Sequence, residues 1–176
     1  MELLLTGGSA CGKSNLGEKL LERTSGEHIY IATMIPYGQD GQAKVERHIK
    51  QRQDKDFIVL EKYTDLRSLS IPVGSSVLLE CICNLTANEM FEKGGAGENT
   101  VSAVLEGMQH IREPAENIIV ITNEVGNDGG TYDAPVLDYI DKMGAINNAL
   151  AANFENVYEM CCGIPIRIKG DLSWEQ

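Results

Sequence analysis

Residues 2–14 read ELLLTGGSACGKS. The apolar run Glu2–Thr6 stops at glycines, which suits a short buried strand. From Lys13 to Arg23 the leucines Leu16, Leu20 and Leu21 recur at helical spacing. Between strand and helix, Gly7 to Ser14 match G-x-x-x-x-G-K-[ST] at every fixed position. The chemistry explains the spacing. Glycines allow backbone angles that turn successive N–H groups inward, so Gly7, Gly8, Ser9, Ala10, Cys11 and Gly12 can cradle a phosphate. The helix start adds the positive end of its dipole. Lys13 would neutralise charge on the β- and γ-phosphates, and the Ser14 hydroxyl would ligate Mg²⁺. A glycine turn with an incidental lysine is the bland alternative. The full pattern in its strand–loop–helix setting points instead to a bound nucleoside triphosphate, while saying nothing of a second substrate.

Outward from this loop, strand-like and helix-like stretches alternate. His28–Thr33 reads as a strand, Met34–Gly41 as a turn-rich loop, Ala43–Lys55 as a polar helix and Phe57–Leu60 as a short strand. Ser76–Ile82 is a central strand, with a helix near Leu85–Phe91 and a glycine-rich break at Gly94–Gly97. Asn99–Glu113 carries Val101, Val104, Leu105, Met108 and Ile111 on one helical stripe. Asn117–Thr122 is another buried strand, a loop covers Asn127–Thr131, and a long helix covers Ala134–Asn153. Asn156–Cys161 and Ile164–Lys169 close the chain as a strand pair around Gly163. Strands separated by helices imply an α/β fold of the P-loop NTPase type: a mainly parallel sheet flanked by helices, with a C-terminal antiparallel strand pair. No repeat or linker interrupts it, so residues 1–170 read as one domain and 171–176 as a tail.

With 176 residues, 15 Lys+Arg and 26 Asp+Glu, the net charge is −11. That balance argues against a broad nucleic-acid surface, which needs clustered cations. No apolar stretch approaches the roughly 20 residues that span a bilayer, and no signal peptide is expected. The five cysteines are Cys11, Cys81, Cys83, Cys161 and Cys162. They form no disulfide framework or zinc signature, so reduced thiols in a cytoplasmic protein are expected.

Mg²⁺ needs further oxygen ligands, usually a carboxylate at the end of a neighbouring strand. Glu80 ends an apolar strand, where an unused carboxylate is costly; a salt-bridged strand-end acid is the alternative. Asn123 and Glu124 follow another buried strand on the edge where open α/β sheets bind ligands, though Glu124 also reads as a solvated loop acid. The segment Lys44–Lys55 holds five cations against Glu46 and Asp54. On a helix Lys44, His48 and Arg52 share a face. Cations on either side disfavour a protonated His48, leaving a neutral ring nitrogen able to attack phosphorus. A solvated basic helix in which His48 merely sits is the other reading. His28 and His110 read as structural.

The phosphate loop, Tyr30-Ile-Ala-Thr33, the His48 helix, Leu79-Glu-Cys81, Thr122-Asn-Glu-Val-Gly126 and Gly163-Ile-Pro165 occur in this order. Together with Gly144-x-x-Asn147-x-x-Leu150-Ala151 and the tail Ile166–Lys169, they resemble the bifunctional adenosylcobinamide kinase/adenosylcobinamide-phosphate guanylyltransferase family over nearly the whole chain. The resemblance implies two steps. A nucleoside triphosphate, ATP or GTP, phosphorylates adenosylcobinamide; then a histidine attacks the α-phosphorus of GTP, and the guanylyl group passes to adenosylcobinamide phosphate. It places His48 as the nucleophile and Ile49, Lys50, Gln51, Arg52, Glu61 and Glu80 around the guanine nucleotide, with Ile31, Ala32 and Thr33 lining the same site. It also implies a homotrimer. This chain has Lys44 where the family usually has arginine, which keeps the charge but loses the planar fork. Ile49, Gln53 and the Cys161-Cys162 pair are further departures.

Overall fold

Among the residues that the computed structural model describes (1–38, 42, 55–126 and 129–172), seven strands form one sheet. The elements are β1 (Glu2–Thr6), α1 (Lys13–Leu21), β2 (His28–Ala32), β3 (Ile58–Glu61), β4 (Ser76–Leu79), α2 (Ile82–Phe91), α3 (Thr100–Arg112), β5 (Asn117–Ile121), α4 (Ala134–Asn153), β6 (Asn156–Cys161) and β7 (Ile164–Lys169). The strand order is β3-β2-β4-β5-β1-β6-β7. Six strands run parallel, and β7 returns antiparallel to β6.

Burial explains the order. Leu3, Leu4 and Leu5 of β1 are all buried, because β5 and β6 flank the strand and helices cover both faces. Alternate side chains divide between two clusters. Leu3, Leu5, Leu78, Ile119 and Ile121 pack with Leu20 and Leu21 of α1. Leu4, Val77, Leu79, Ile118 and Val120 pack with residues of α2, α3 and α4, including Ile82, Met108 and Ile146. Helix α1 lies close to the sheet because position 17 has no side chain: a Cβ there would meet Leu78 Cδ1 at 3.1 Å and Ile121 Cδ1 at 3.4 Å. Helix α4 opens on Asp133, whose carboxylate accepts from Val136 N (3.2 Å).

The α/β architecture expected from the sequence is the one observed, and α4, β6 and β7 have the expected bounds. Some boundaries need correction. The apolar run from Ser76 to Ile82 is not one strand: β4 stops at Leu79, and α2 already begins at Ile82 with Cys81 extended as its N-cap. The run continues because the first turn of α2 is itself core, with Ile82 and Leu85 fully buried. Helix α1 also ends at Leu21, two residues short of Arg23. The expected helix 43–55 lies almost wholly outside the described residues, as do Lys44, His48, Ile49, Lys50, Gln51, Arg52 and Gln53.

Candidate active site

Strands β1, β4 and β5 are adjacent and parallel, so their carboxyl ends lie together at one edge of the sheet. The segment after β1 wraps around this edge with three left-handed residues, Gly7 (φ 126°), Ala10 (φ 58°) and Gly12 (φ 100°). Gly7 is obligatory: a Cβ there would sit 2.6 Å from Met160 O and 3.3 Å from Cys11 Sγ. Gly12 is the N-cap of α1, where no side chain caps the helix and no acid occupies the first turn. Its amino end is thus left for an anion.

Lys13 is buried beneath this loop. Its Nζ donates to Gly7 O (2.8 Å) and Gly8 O (2.6 Å) and lies 3.5 Å from Cys11 Sγ. The ammonium therefore bridges the start of the loop, satisfied by carbonyls until a more negative partner arrives.

An open cleft of about 620 Å³ runs from the loop across the sheet edge. Residues 9–15 line one side, Ser14 among them; Glu80, Cys81, Asn84 and Asn123 line the other. The structure thus brings Lys13, Ser14, Glu80 and Asn123 to one cleft. Glu80 is 8% exposed, and its Oε2 accepts from Thr33 N (3.0 Å). Thr33 is fixed in turn: its hydroxyl donates to Cys81 O (2.9 Å), and Asn88 Nδ2 donates to Thr33 O (2.8 Å) and Tyr63 O (3.0 Å). On the β5 side, Thr122 Oγ1 donates to Asn147 Oδ1 (2.7 Å), and Asn147 Nδ2 donates to Asn123 O (3.2 Å).

Other residues expected at the site are not among the described residues that line this cleft. Ile31 is fully buried in the core, Thr33 is fully buried, and Ala32 is half-buried between them. Thr33 is joined to Glu80 through its backbone N–H, and none of the three is among the described residues lining this cleft. Glu61 is exposed at the end of β3 and accepts from Tyr63 OH (2.9 Å). Glu124 is exposed and lies beyond the cleft lining. His28 and His110 each hold a backbone carbonyl with Nε2, of Thr24 (3.0 Å) and Leu69 (2.8 Å), as structural residues do.

Asn84, Asn88 and Cys83 did not stand out in the sequence. A polar Asn88 one turn after the core residue Leu85, on the buried side of α2, was the available signal. Cys83 sits at the amino end of α2, and Asn123 Nδ2 reaches both Cys83 Sγ (3.6 Å) and Cys81 Sγ (3.8 Å). A hydrogen bond from Cys81 is the main reason the Cys83 thiol is lowered to about 6, while that bond and burial push Cys81 well up. Ionisation of one sulfur therefore disfavours that of the other.

A second hollow of about 720 Å³ lies at the opposite edge, near Glu2, Arg112 and Phe154. Arg112 is already held there by the Glu2 carboxylate and the Phe154 ring, which leaves it poorly placed for an anion.

A sequence model of the cobinamide kinase/cobinamide phosphate guanyltransferase family, CobU, matches residues 3–168. The chain belongs to this family. The match runs from β1 through β7, so the phosphate loop, Glu80 and Asn123 all fall within it. Among its relatives is the bifunctional adenosylcobalamin biosynthesis protein CobU of Escherichia coli K12, 29% identical, with 96% of this chain and 100% of that protein covered. The CobU of Salmonella typhimurium LT2 is 27% identical over the same shares. CobP of Pseudomonas aeruginosa PAO1 is 26% identical, covering 97% of this chain and 99% of that protein.

Proposed function

We propose that this protein phosphorylates adenosylcobinamide with a nucleoside triphosphate and then transfers GMP from GTP, through a guanylyl-histidine at His48, to give adenosylcobinamide-GDP. Family membership supports both activities at the level of the family. The observation that carries the kinase step is the cleft itself, in which a buried lysine, an uncapped helix start and a strand-end carboxylate face one space.

In the kinase step the loop N–H groups and the α1 amino end hold the β-phosphate. Lys13 exchanges the carbonyls of Gly7 and Gly8 for phosphate oxygens, carrying its charge to where the transferred group becomes more negative. Ser14 and Glu80 would hold Mg²⁺: both offer oxygen, both line the cleft, and two protein ligands leave room for phosphate and water. The ion would neutralise phosphate charge. Thr33 and Asn88 keep Glu80 in place.

In the second step His48 acts as nucleophile on the α-phosphorus of GTP, pyrophosphate leaves, and the cobinamide phosphate then displaces the imidazole. Splitting one displacement into two is the benefit of the covalent route. Lys44 and Arg52, four residues to either side of His48 in the sequence, supply positive charge for this step, with Ile49, Lys50, Gln51 and Glu61 around the guanine nucleotide. The enzyme works as a homotrimer in the cytoplasm.

The test is a product assay. Adenosylcobinamide, Mg²⁺ and ATP should yield a phosphorylated corrinoid, and adding GTP should convert it to the GDP adduct. Phosphate without adduct would leave a small-metabolite kinase; tight nucleotide binding without either product would leave a binding module.

A further inference from the structure

Three of the five cysteines gather at the phosphate loop. The hairpin between β6 and β7 is a two-residue turn, Cys162-Gly163, closed by the pair Cys161 and Ile164. Both turn residues have positive φ, 51° at Cys162 and 82° at Gly163. Such turns favour Asn or Gly at the first position, and another side chain there is strained. Backbone preference does not explain a cysteine here.

The turn rests on the phosphate loop. Gly163 N donates to Cys11 O (3.1 Å), and a Cβ on Gly12 would lie 3.7 Å from Gly163 Cα. That bond limits the Cys11–Cys162 Cα separation to roughly 8 Å by standard backbone dimensions, and disulfides span about 4.4–6.8 Å. The Cys11 sulfur lies toward the end of β6, since a Cβ on Gly7 would touch both it and Met160 O. Cys161 and Cys162 are exposed and Cys11 is half-buried. The Cys161 thiol lies within electrostatic reach of the other two: a hydrogen bond and charge from Cys162, then lesser effects including Glu159 and Cys11, raise it.

We propose that Cys11 and the Cys161–Cys162 pair form a modification site for hydroperoxides, at which Cys11 becomes disulfide-bonded to one thiol of the pair and the phosphate loop is locked. The consequence for nucleotide rests on the function proposed above; the cross-link itself does not. An exposed thiol of the pair gives up its proton and its thiolate attacks the peroxide; the O–O bond breaks, leaving a sulfenic acid and a hydroxide that takes up that proton as water. Cys11 thiolate then attacks that sulfur, the S–S bond forms, and hydroxide leaves to take up the released proton. Two thiols and one hydrogen peroxide give one disulfide and two waters, the thiols losing two electrons. The bond would tie the loop to β6–β7 beside the Lys13 ammonium, 3.5 Å from Cys11 Sγ, and prevent the loop from settling around phosphate.

Reduced protein is treated with one equivalent of hydrogen peroxide, digested without reductant and mapped by mass spectrometry, with ATP and GTP titrated before, after, and after dithiothreitol. The expected result is a linked peptide joining Cys11 to Cys161-Cys162, at least tenfold weaker triphosphate binding, and recovery with reductant. The double variant Cys161→Ser/Cys162→Ser should bind as wild type when reduced and keep its affinity after peroxide; each single variant is mapped alongside it. A double variant that remains peroxide-sensitive, or a bridge between Cys81 and Cys83 in place of the expected peptide, overturns the proposal. If the expected bridge forms but the reduced protein binds no triphosphate, the modification site stands and the nucleotide reading fails.

Discussion

Replacing Gly7 by alanine tests whether the phosphate loop has the geometry described. Gly7 has φ 126°, and the added methyl would lie 2.6 Å from Met160 O and 3.2 Å from Met160 N. Both are backbone atoms of β6, so relief requires moving β1 away from its neighbour. A residue held in a glycine-only region costs about 1–3 kcal/mol. Adding the contact with Met160 O, we expect a loss of about 2–4 kcal/mol. At roughly 2–4 °C per kcal/mol for a chain of this size, melting should fall by about 4–16 °C. Gly12→Ala has φ 100° but meets nothing nearer than 3.7 Å, so it should lose the conformational part alone. Gly8→Ala, with nothing within 4 Å, should stay within about 0.5 kcal/mol of wild type. Thermal melts without nucleotide measure the series. Equal melting of Gly7→Ala and Gly8→Ala would refute the close approach of β1 to β6.

Other outcomes follow from the same contacts. Lys13→Ala should keep its fold by circular dichroism but bind GTP roughly 10–150-fold more weakly, one to two orders being typical of a lost charged hydrogen bond; unchanged titration would contradict the role given to this ammonium. Asn88→Ala leaves Thr33 O and Tyr63 O without their shared donor and should cost about 2–4 kcal/mol in urea unfolding. For Cys83 the folded thiol lies at about 6 against an ordinary 9.0. Between those values the unfolded chain binds a proton that the native thiol has released, so stability relative to Cys83→Ser should rise with pH from about 6 toward 9 and vanish below 6. The rise should be on the order of 1–2 kcal/mol, because the ionisation is linked to that of Cys81. A flat difference across that range would show that Cys81 does not lower the Cys83 thiol.

The loop was legible because its chemistry demands residue types at fixed spacing: Gly7, Gly12, Lys13 and Ser14 can be read without coordinates. Glu80 was legible for a related reason, since a carboxylate at the end of Val77-Leu-Leu needs a use. The end of β4 was not, because a buried strand and the buried first turn of α2 present the same unbroken apolar run. Nor could the sequence show that Ile31 and Thr33 are fully buried, a matter of which face each strand presents to which helix. Asn88 and Asn147 act on backbone carbonyls, contacts that leave no spacing pattern. The three thiols of Cys11, Cys161 and Cys162 come from opposite ends of the chain and meet only because β6 lies beside β1.

Covalent guanylylation is the most direct test of the account. The protein is incubated with Mg²⁺ and GTP labelled at the α-phosphate, then denatured. Wild type should carry acid-labile label, released as GMP on adding adenosylcobinamide phosphate, and His48→Ala should carry none. Wild type without label, or equal label on His48→Ala, would contradict it.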